Sequence, residues 1–182
     1  MSQDLNAVID GCLAAFIEAG TLDVSLDHLA EKVGISKRML IHYFGSRENL
    51  EEKAMERLEE RLRARFQADL FRAGTSALSV VMALWDRTTA AASRGILLLI
   101  MDVSRRGWSG SKRAKAFYRE QQKLWVALLT KFLPDQAAVE ELLQLFQGAT
   151  LVYLVTGDRE QGRRTLTRMM SRDAKSKRRK QR

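Results

Sequence analysis

A chain of 182 residues, 46% hydrophobic and 29% charged, has room for one domain or two small ones, and its composition excludes a wholly disordered protein. One cysteine, Cys12, excludes an internal disulfide, and the longest unbroken run of large apolar residues, Ile96 to Met101, is far short of the ~20 a spanning helix needs. A net charge of +9 favours an anionic partner. Asp4 and Asp10 interrupt the N-terminus, so no secretory signal is expected and the cytoplasm is the expected location.

The hydrophobic spacing predicts helices almost throughout, because it follows a period of 3.6 and one proline leaves little to break them. Leu5, Ile9, Cys12 and Phe16 form a first stripe that ends at Gly20. Leu26, Leu29, Ala30 and Val33 form a second, opened by Ser25 as N-cap and closed by Gly34. A third short helix starts at Ser36 and runs to about Tyr43, and Ser46 opens a fourth carrying Leu50, Ala54, Leu58, Leu62 and Phe66. Beyond Gly74, Leu78, Val81, Met82 and Trp85 mark a fifth. Ile96 to Val103 is apolar nearly all round, which predicts a helix buried on every side.

After a break at Gly107 to Gly110, Phe117, Tyr118, Leu124, Trp125, Leu128, Leu129 and Phe132 define a long amphipathic helix closed by Pro134. Leu142, Leu145, Phe146, Ala149, Val152 and Tyr153 mark the next. Thr156-Gly157-Asp158 turns into a last short helix with Leu166, Met169 and Met170, and a basic tail follows. The fold expected is all-α. An N-terminal three-helix domain spans 1–46, a helical bundle 47–172, and a disordered basic tail 173–182.

Residues 25–44 carry the sharpest signal. Two short helices meet at Val33-Gly34-Ile35, the arrangement a helix-turn-helix needs. Leu40 and Phe44 would face inward with Ile35. Lys37 and Ile41 then share an outward row, Arg38 and His42 the adjacent one, with Met39 and Tyr43 at the flanks. Such a basic, mixed face suits the ~12 Å major groove of DNA. A plain helical hairpin with a solvated face accounts less well for Met39, Ile41 and Tyr43 on so short a helix. The charge is distributed the other way. Residues 1–50 carry −3, whereas 71–120 and 171–182 carry +6 each.

The pattern Gly20-Thr21-Leu22-Asp23-Val24-Ser25-Leu26, Leu29-Ala30, Val33-Gly34-Ile35-Ser36, Leu40, Tyr43-Phe44, Ser46-Arg47-Glu48 and Leu50 resembles the DNA-binding region of the tetracycline-repressor (TetR) family. The resemblance covers roughly residues 5–55. It implies that Ser25 caps the second helix and touches phosphate, and that Lys37, Arg38 and Met39, preceded by Ser36, meet base edges or phosphates. It implies that Tyr43 and Arg47 hold phosphate, Arg47 standing where the family usually has lysine. Ile41 departs from the family's usual tyrosine; isoleucine cannot donate to phosphate but can touch a thymine methyl. His42 is expected to contact the groove or a phosphate.

The resemblance further implies a C-terminal ligand-binding and dimerising bundle. Residues 76–132 would enclose a small-molecule pocket with Met82, Trp85, Met101, Trp108, Phe117, Tyr118, Trp125 and Phe146 as candidate walls, and Thr88, Thr89, Arg94 and Asp102 as polar groups. Leu145, Ala149, Val152, Tyr153, Leu166, Met169 and Met170 would form a homodimer interface. The cations Lys53, Arg57, Arg61 and Arg65, and the cluster Arg105, Arg106, Lys112, Arg113, Lys115 and Arg119, read as solvated surface.

No sequence pattern of a catalytic, metal or cofactor site is present: HExxH, CxxC, P-loop and GxSxG are all absent. The function expected is a ligand-responsive repressor binding a palindromic operator as a homodimer. The alternatives are a helical protein-interaction module and a non-specific DNA-binding protein with a degenerate helix-turn-helix.

Overall fold

The computed structural model of the chain describes residues 4–73, 76–131, 133 and 135–180, and helices account for nearly all of them. In chain order they are α1 (Leu5–Ala19), α2 (Leu26–Val33), α3 (Lys37–Phe44), α4 (Arg47–Ala73), α5 (Ala77–Thr88), α6 (Arg94–Trp108), α7 (Lys112–Leu129), α8 (Gln136–Thr156) and α9 (Arg159–Lys180). A 3-10 turn, Ala91–Ser93, precedes α6. Among the described residues there is no strand. Phe132 and Pro134, expected at the end of α7, lie outside the described residues, as does Gly74.

The local signals work as hydrogen-bonding chemistry. Asp4, Ser25, Ser36, Ser76 and Asp135 each accept a bond from a backbone N–H in the first turn of the helix they cap. Each such bond satisfies a donor with no partner inside the helix.

The chain divides into two compact units, and the division differs from the one expected at 46/47. The first unit comprises residues 1–64 and 94–121, so α6 and most of α7 belong with the N-terminal helices. The second comprises 65–93 and 122–182.

In the first unit α1 packs on α2 and on α6, and α2 packs on α3. The core joins Val8, Cys12, Leu13 and Phe16 of α1 with Leu29, Leu40, Phe44, Leu50, Ala54 and Leu58, and α6 contributes Leu99 and Val103. Burying a side chain of this size stabilises by about 1.5–3 kcal/mol. α6 can approach α1 closely because its second residue is Gly95: a Cβ there would lie 2.1 Å from the carbonyl oxygen of Ile17. The expectation that α6 is buried all round is corrected. Leu97, Leu99 and Val103 are buried, but Leu98 is 40% exposed.

In the second unit α9 packs on α5 and α8. Phe66, Val81, Trp85, Leu128, Leu129, Val139, Leu142, Leu166, Met169 and Met170 form its core. α9 is not short. It continues through the basic stretch to Lys180, past residue 173, where a disordered tail was expected.

Candidate nucleic-acid interface

The helix-turn-helix is built by three local devices. Ser25 Oγ accepts from the His28 N–H at 3.1 Å and starts α2. Gly34 ends it in the left-handed region (φ +70°), which a side chain would oppose. The Ile35 N–H then bonds back to the Ala30 carbonyl at 3.0 Å, and Ser36 Oγ accepts from the Met39 N–H at 3.1 Å to start α3. At the far end Asn49 Nδ2 donates to the Phe44 carbonyl at 2.7 Å, while Ser46 Oγ accepts from the Asn49 N–H. Both ends of α3 are thereby tied.

α3 has one inward and one outward side. Leu40 and Phe44 are buried in the first unit's core. Ser36, Lys37, Arg38, Met39 and His42 are exposed, and Ile41 and Tyr43 are half-buried. Tyr43 packs against the core, and its ring lies 6.2 Å from that of His42. Lys37 Nζ pairs with Asp27 Oδ2 on α2 at 3.0 Å, between two exposed side chains. Arg38 meets no partner among the described residues and stands as the open cation of the face. Ser25 is exposed at the start of α2.

Arg47 is placed differently from the rest. Its Nη2 donates to the Leu22 carbonyl at 2.6 Å and its Nε to Glu51 Oε1 at 2.8 Å, so its guanidinium is turned back into the protein. It is the first member of a network that sequence reasoning missed. Glu51 Oε2 accepts from Arg106 Nη1 at 3.3 Å, and Arg106 Nη2 donates to Asp23 Oδ1 at 2.8 Å. Arg106 Nε donates to Asp102 Oδ2 at 3.1 Å. That oxygen also accepts from Thr21 Oγ1 (3.2 Å) and from the Leu22 N–H (3.1 Å). Asp102 Oδ1 accepts from Arg105 Nε and Nη2.

Asp102 is 8% exposed. Burial pushes its carboxyl up, but the Arg105 guanidinium, the Leu22 N–H and Arg106 outweigh it and hold the group below its ordinary value. It is therefore not a free polar wall of a ligand pocket, as expected from the sequence: protein donors occupy both oxygens. The signal in the sequence was a lone acid in an apolar run, followed by arginines three and four residues on.

Other cations expected to be plain solvated surface also tie helices together within this unit. Arg57 and Arg61 of α4 both pair with Asp10 of α1, and Arg113 of α7 pairs with Glu52 of α4.

The eight candidate pocket residues fall four to each unit. In the second, Trp85 is fully buried, edge-on to Phe146 and Tyr153, with its Nε1 donating to the Arg159 carbonyl at 3.1 Å. Met82 and Trp125 pack against the same core. In the first unit, Met101 is half-buried and Phe117 packs against the core. Trp108 is 91% exposed and Tyr118 is also exposed. Those two line an open groove of about 500 Å³ with Val103, Ser104, Gly107, Ala114, Lys115 and Arg119.

The expected interface residues divide as well. Leu166, Met169 and Met170 are buried in the second unit's own core, and Tyr153 packs against it with its hydroxyl on the Thr89 carbonyl. Leu145 and Ala149 are half-buried. Val152 is exposed, and with Leu151 and Val155 it forms an apolar strip on α8 that nothing in the unit covers. By length and hydropathy α8 is also long and apolar enough to cross a membrane; its apolar residues here divide between that core and this strip.

Comparison with known proteins follows the same division between a specific N-terminus and a shared fold. Residues 8–54 match the sequence model of the bacterial regulatory proteins of the tetR family. No curated protein matches the chain's sequence. Among solved structures, the chain is similar to a proposed transcriptional regulator from Streptomyces coelicolor A3(2), at 19% identity and a TM-score of 0.75, covering 91% of this chain and 96% of that one. It is similar to a TetR transcription regulator from Haloarcula marismortui, at 15% identity and a TM-score of 0.71, covering 91% and 95%. A TetR-family transcriptional regulator from Agrobacterium tumefaciens shares 19% identity and a TM-score of 0.64 over 93% and 98%. At these identities the likeness is one of fold, and it extends over both units.

Proposed function

From the tetR-family DNA-binding domain that this chain carries at residues 8–54, we propose that the protein is a sequence-specific transcriptional regulator, acting as a repressor and binding a palindromic operator as a homodimer. It works by binding and not by catalysis, in the cytoplasm where its DNA lies. The observation that carries this reading is α3: capped by Ser36, seated on buried Leu40 and Phe44, and offering Arg38 unpaired beside exposed Met39 and His42. An arginine so presented can reach the two acceptors of a guanine edge, a contact that gives about 1–3 kcal/mol of discrimination. Ser25, Lys37, Ile41 and Tyr43 position the helix or add groove contacts. Arg47 reaches phosphate only by leaving Glu51 and the Leu22 carbonyl.

The apolar strip Leu151, Val152 and Val155 on α8 supports the homodimer, since such a strip is stabilised by a second copy. A small-molecule effector would favour one of two arrangements of the dimer by binding it better than the other. The aromatic residues of the second unit pack on one another, so the groove beside Trp108 and Tyr118 is the better candidate for it. Its volume lies in the range of ligand sites, and Lys115 and Arg119 favour an organic anion.

The test is selection of bound sequences from random duplex DNA at near-physiological salt, with wild type and Arg38→Ala side by side. The expected result is a palindrome that blurs at one position of each half-site in the variant. Equal weakening on all sequences would point to non-specific DNA binding, and no affinity even at low salt to a protein-interaction module.

A further inference from the structure

The hydrogen bonds around Asp102 close into a ring. Asp102 on α6 accepts from the Leu22 N–H, the Leu22 carbonyl accepts from Arg47 at the start of α4, Arg47 donates to Glu51, Glu51 accepts from Arg106, and Arg106 donates back to Asp102. Both backbone polar groups of one residue, Leu22, are thus held, one from α6 and one from α4. Leu22 lies three residues before Ser25, the cap of α2.

We propose that Asp102 is a positioning residue for DNA recognition: through this ring, α6 sets where the helix-turn-helix starts relative to α4. The inference rests on the DNA-binding reading above and goes beyond it, because Asp102 lies outside residues 8–54 and does not belong to the DNA-facing surface.

Three features support it. The contacts span about eighty residues of sequence, so they report tertiary placement and not a local turn. Every group in the ring is a charge or a backbone amide, and charge-assisted bonds are directional where an apolar contact would let α2 slide. Arg106 forks to three acids, Asp102, Asp23 and Glu51, on the three elements the ring joins. A lysine, a point charge without the planar fork, could not serve all three at once. The ring also commits Arg47. Whatever loosens α6 from Leu22 therefore alters both the start of α2 and the cation at the head of α4.

The test uses the full chain with Asp102→Asn, which keeps the shape and removes the charge, and Arg106→Gln, separately and combined. Two measurements are made. The first is amide hydrogen exchange from Leu22 through Leu29 in free protein. The second is affinity for the selected operator and for random duplex, alongside thermal unfolding. A positioning role predicts faster exchange in that segment, with the global unfolding transition retained. It predicts a specific affinity lower by roughly tenfold, comparable to one wrong base pair. Non-specific affinity would not fall, because no phosphate contact is lost. The double variant would lose no more than the worse single one, as members of one ring are not additive.

Unchanged exchange in Asp102→Asn would overturn the proposal whether or not the protein binds DNA. So would operator and random-duplex affinities falling in parallel with stability. If wild type selects no sequence while exchange still quickens, the ring positions α2 but the regulator reading fails.

Discussion

Cys12 and Asp102 are both buried in the first unit, and burial acts on them with opposite results. The Cys12 thiol has no charged neighbour to oppose desolvation, and its pKa is pushed up to about 11. A thiol needs its thiolate to react, so this one should be inert while the protein is folded. A thiol-specific disulfide reagent at pH 8 should label Cys12 much more slowly in native protein than in guanidinium-unfolded protein, where the thiol regains its ordinary pKa. Equal rates would mean the α1 face opens freely. Asp102 instead has two guanidinium groups and a backbone N–H directed at it, and it remains a carboxylate. Its position within an apolar run was visible in the sequence. So were Arg105 and Arg106, three and four residues on. Its partners Thr21 and Leu22 were not, because nothing local to residue 102 specifies which loop eighty residues earlier will arrive there.

The helices themselves were legible, and their caps explain why. A cap is a bond between a side chain and a backbone N–H two or three residues away, so the sequence alone contains both partners. Ser25, Gly34 and Ser36 act as their positions imply. Ser36→Ala should remove the bond to the Met39 N–H and destabilise the protein by about 1 kcal/mol. The measurement is a chemical denaturation midpoint at unchanged slope. The operator affinity of this variant should fall more than its stability implies, since the lost bond fixes the first turn of α3, where Lys37 and Arg38 stand. Which face a helix buries was less legible. Leu166, Met169 and Met170 make as good an apolar stripe for a partner subunit as for an internal core, and they serve the core. The face left over on α8 is Leu151, Val152 and Val155, with Val155 78% exposed.

At the scale of the whole molecule, that face carries the proposed assembly. Leu151→Glu combined with Val155→Glu places two carboxylates where a second copy would pack, and neither side chain belongs to the buried core. The expected outcome is a monomer by sedimentation at micromolar concentration, against a dimer for wild type. Helix content should be retained, and binding to the palindrome should be lost. A wild type that sediments as a monomer would remove the dimer from the proposal and leave the helix-turn-helix reading to stand on its own.

What the sequence determined by itself is everything whose partners lie within a turn or two of each other: the helix boundaries at Gly20, Ser25, Gly34 and Ser36, the helix-turn-helix at 25–44, and the inward seat of Leu40 and Phe44. The motif from Gly20 to Leu50 was legible for the same reason. The tertiary structure alone decided that α6 joins the N-terminal unit, that Arg47 turns inward to Glu51, and that the aromatic candidates divide between two units. Periodicity says that a face is apolar but not what covers it. A salt bridge between α6 and the α1–α2 loop requires the chain's full path to be known. Local hydrogen bonds and backbone angles are written residue by residue, whereas packing is a property of which distant surfaces meet.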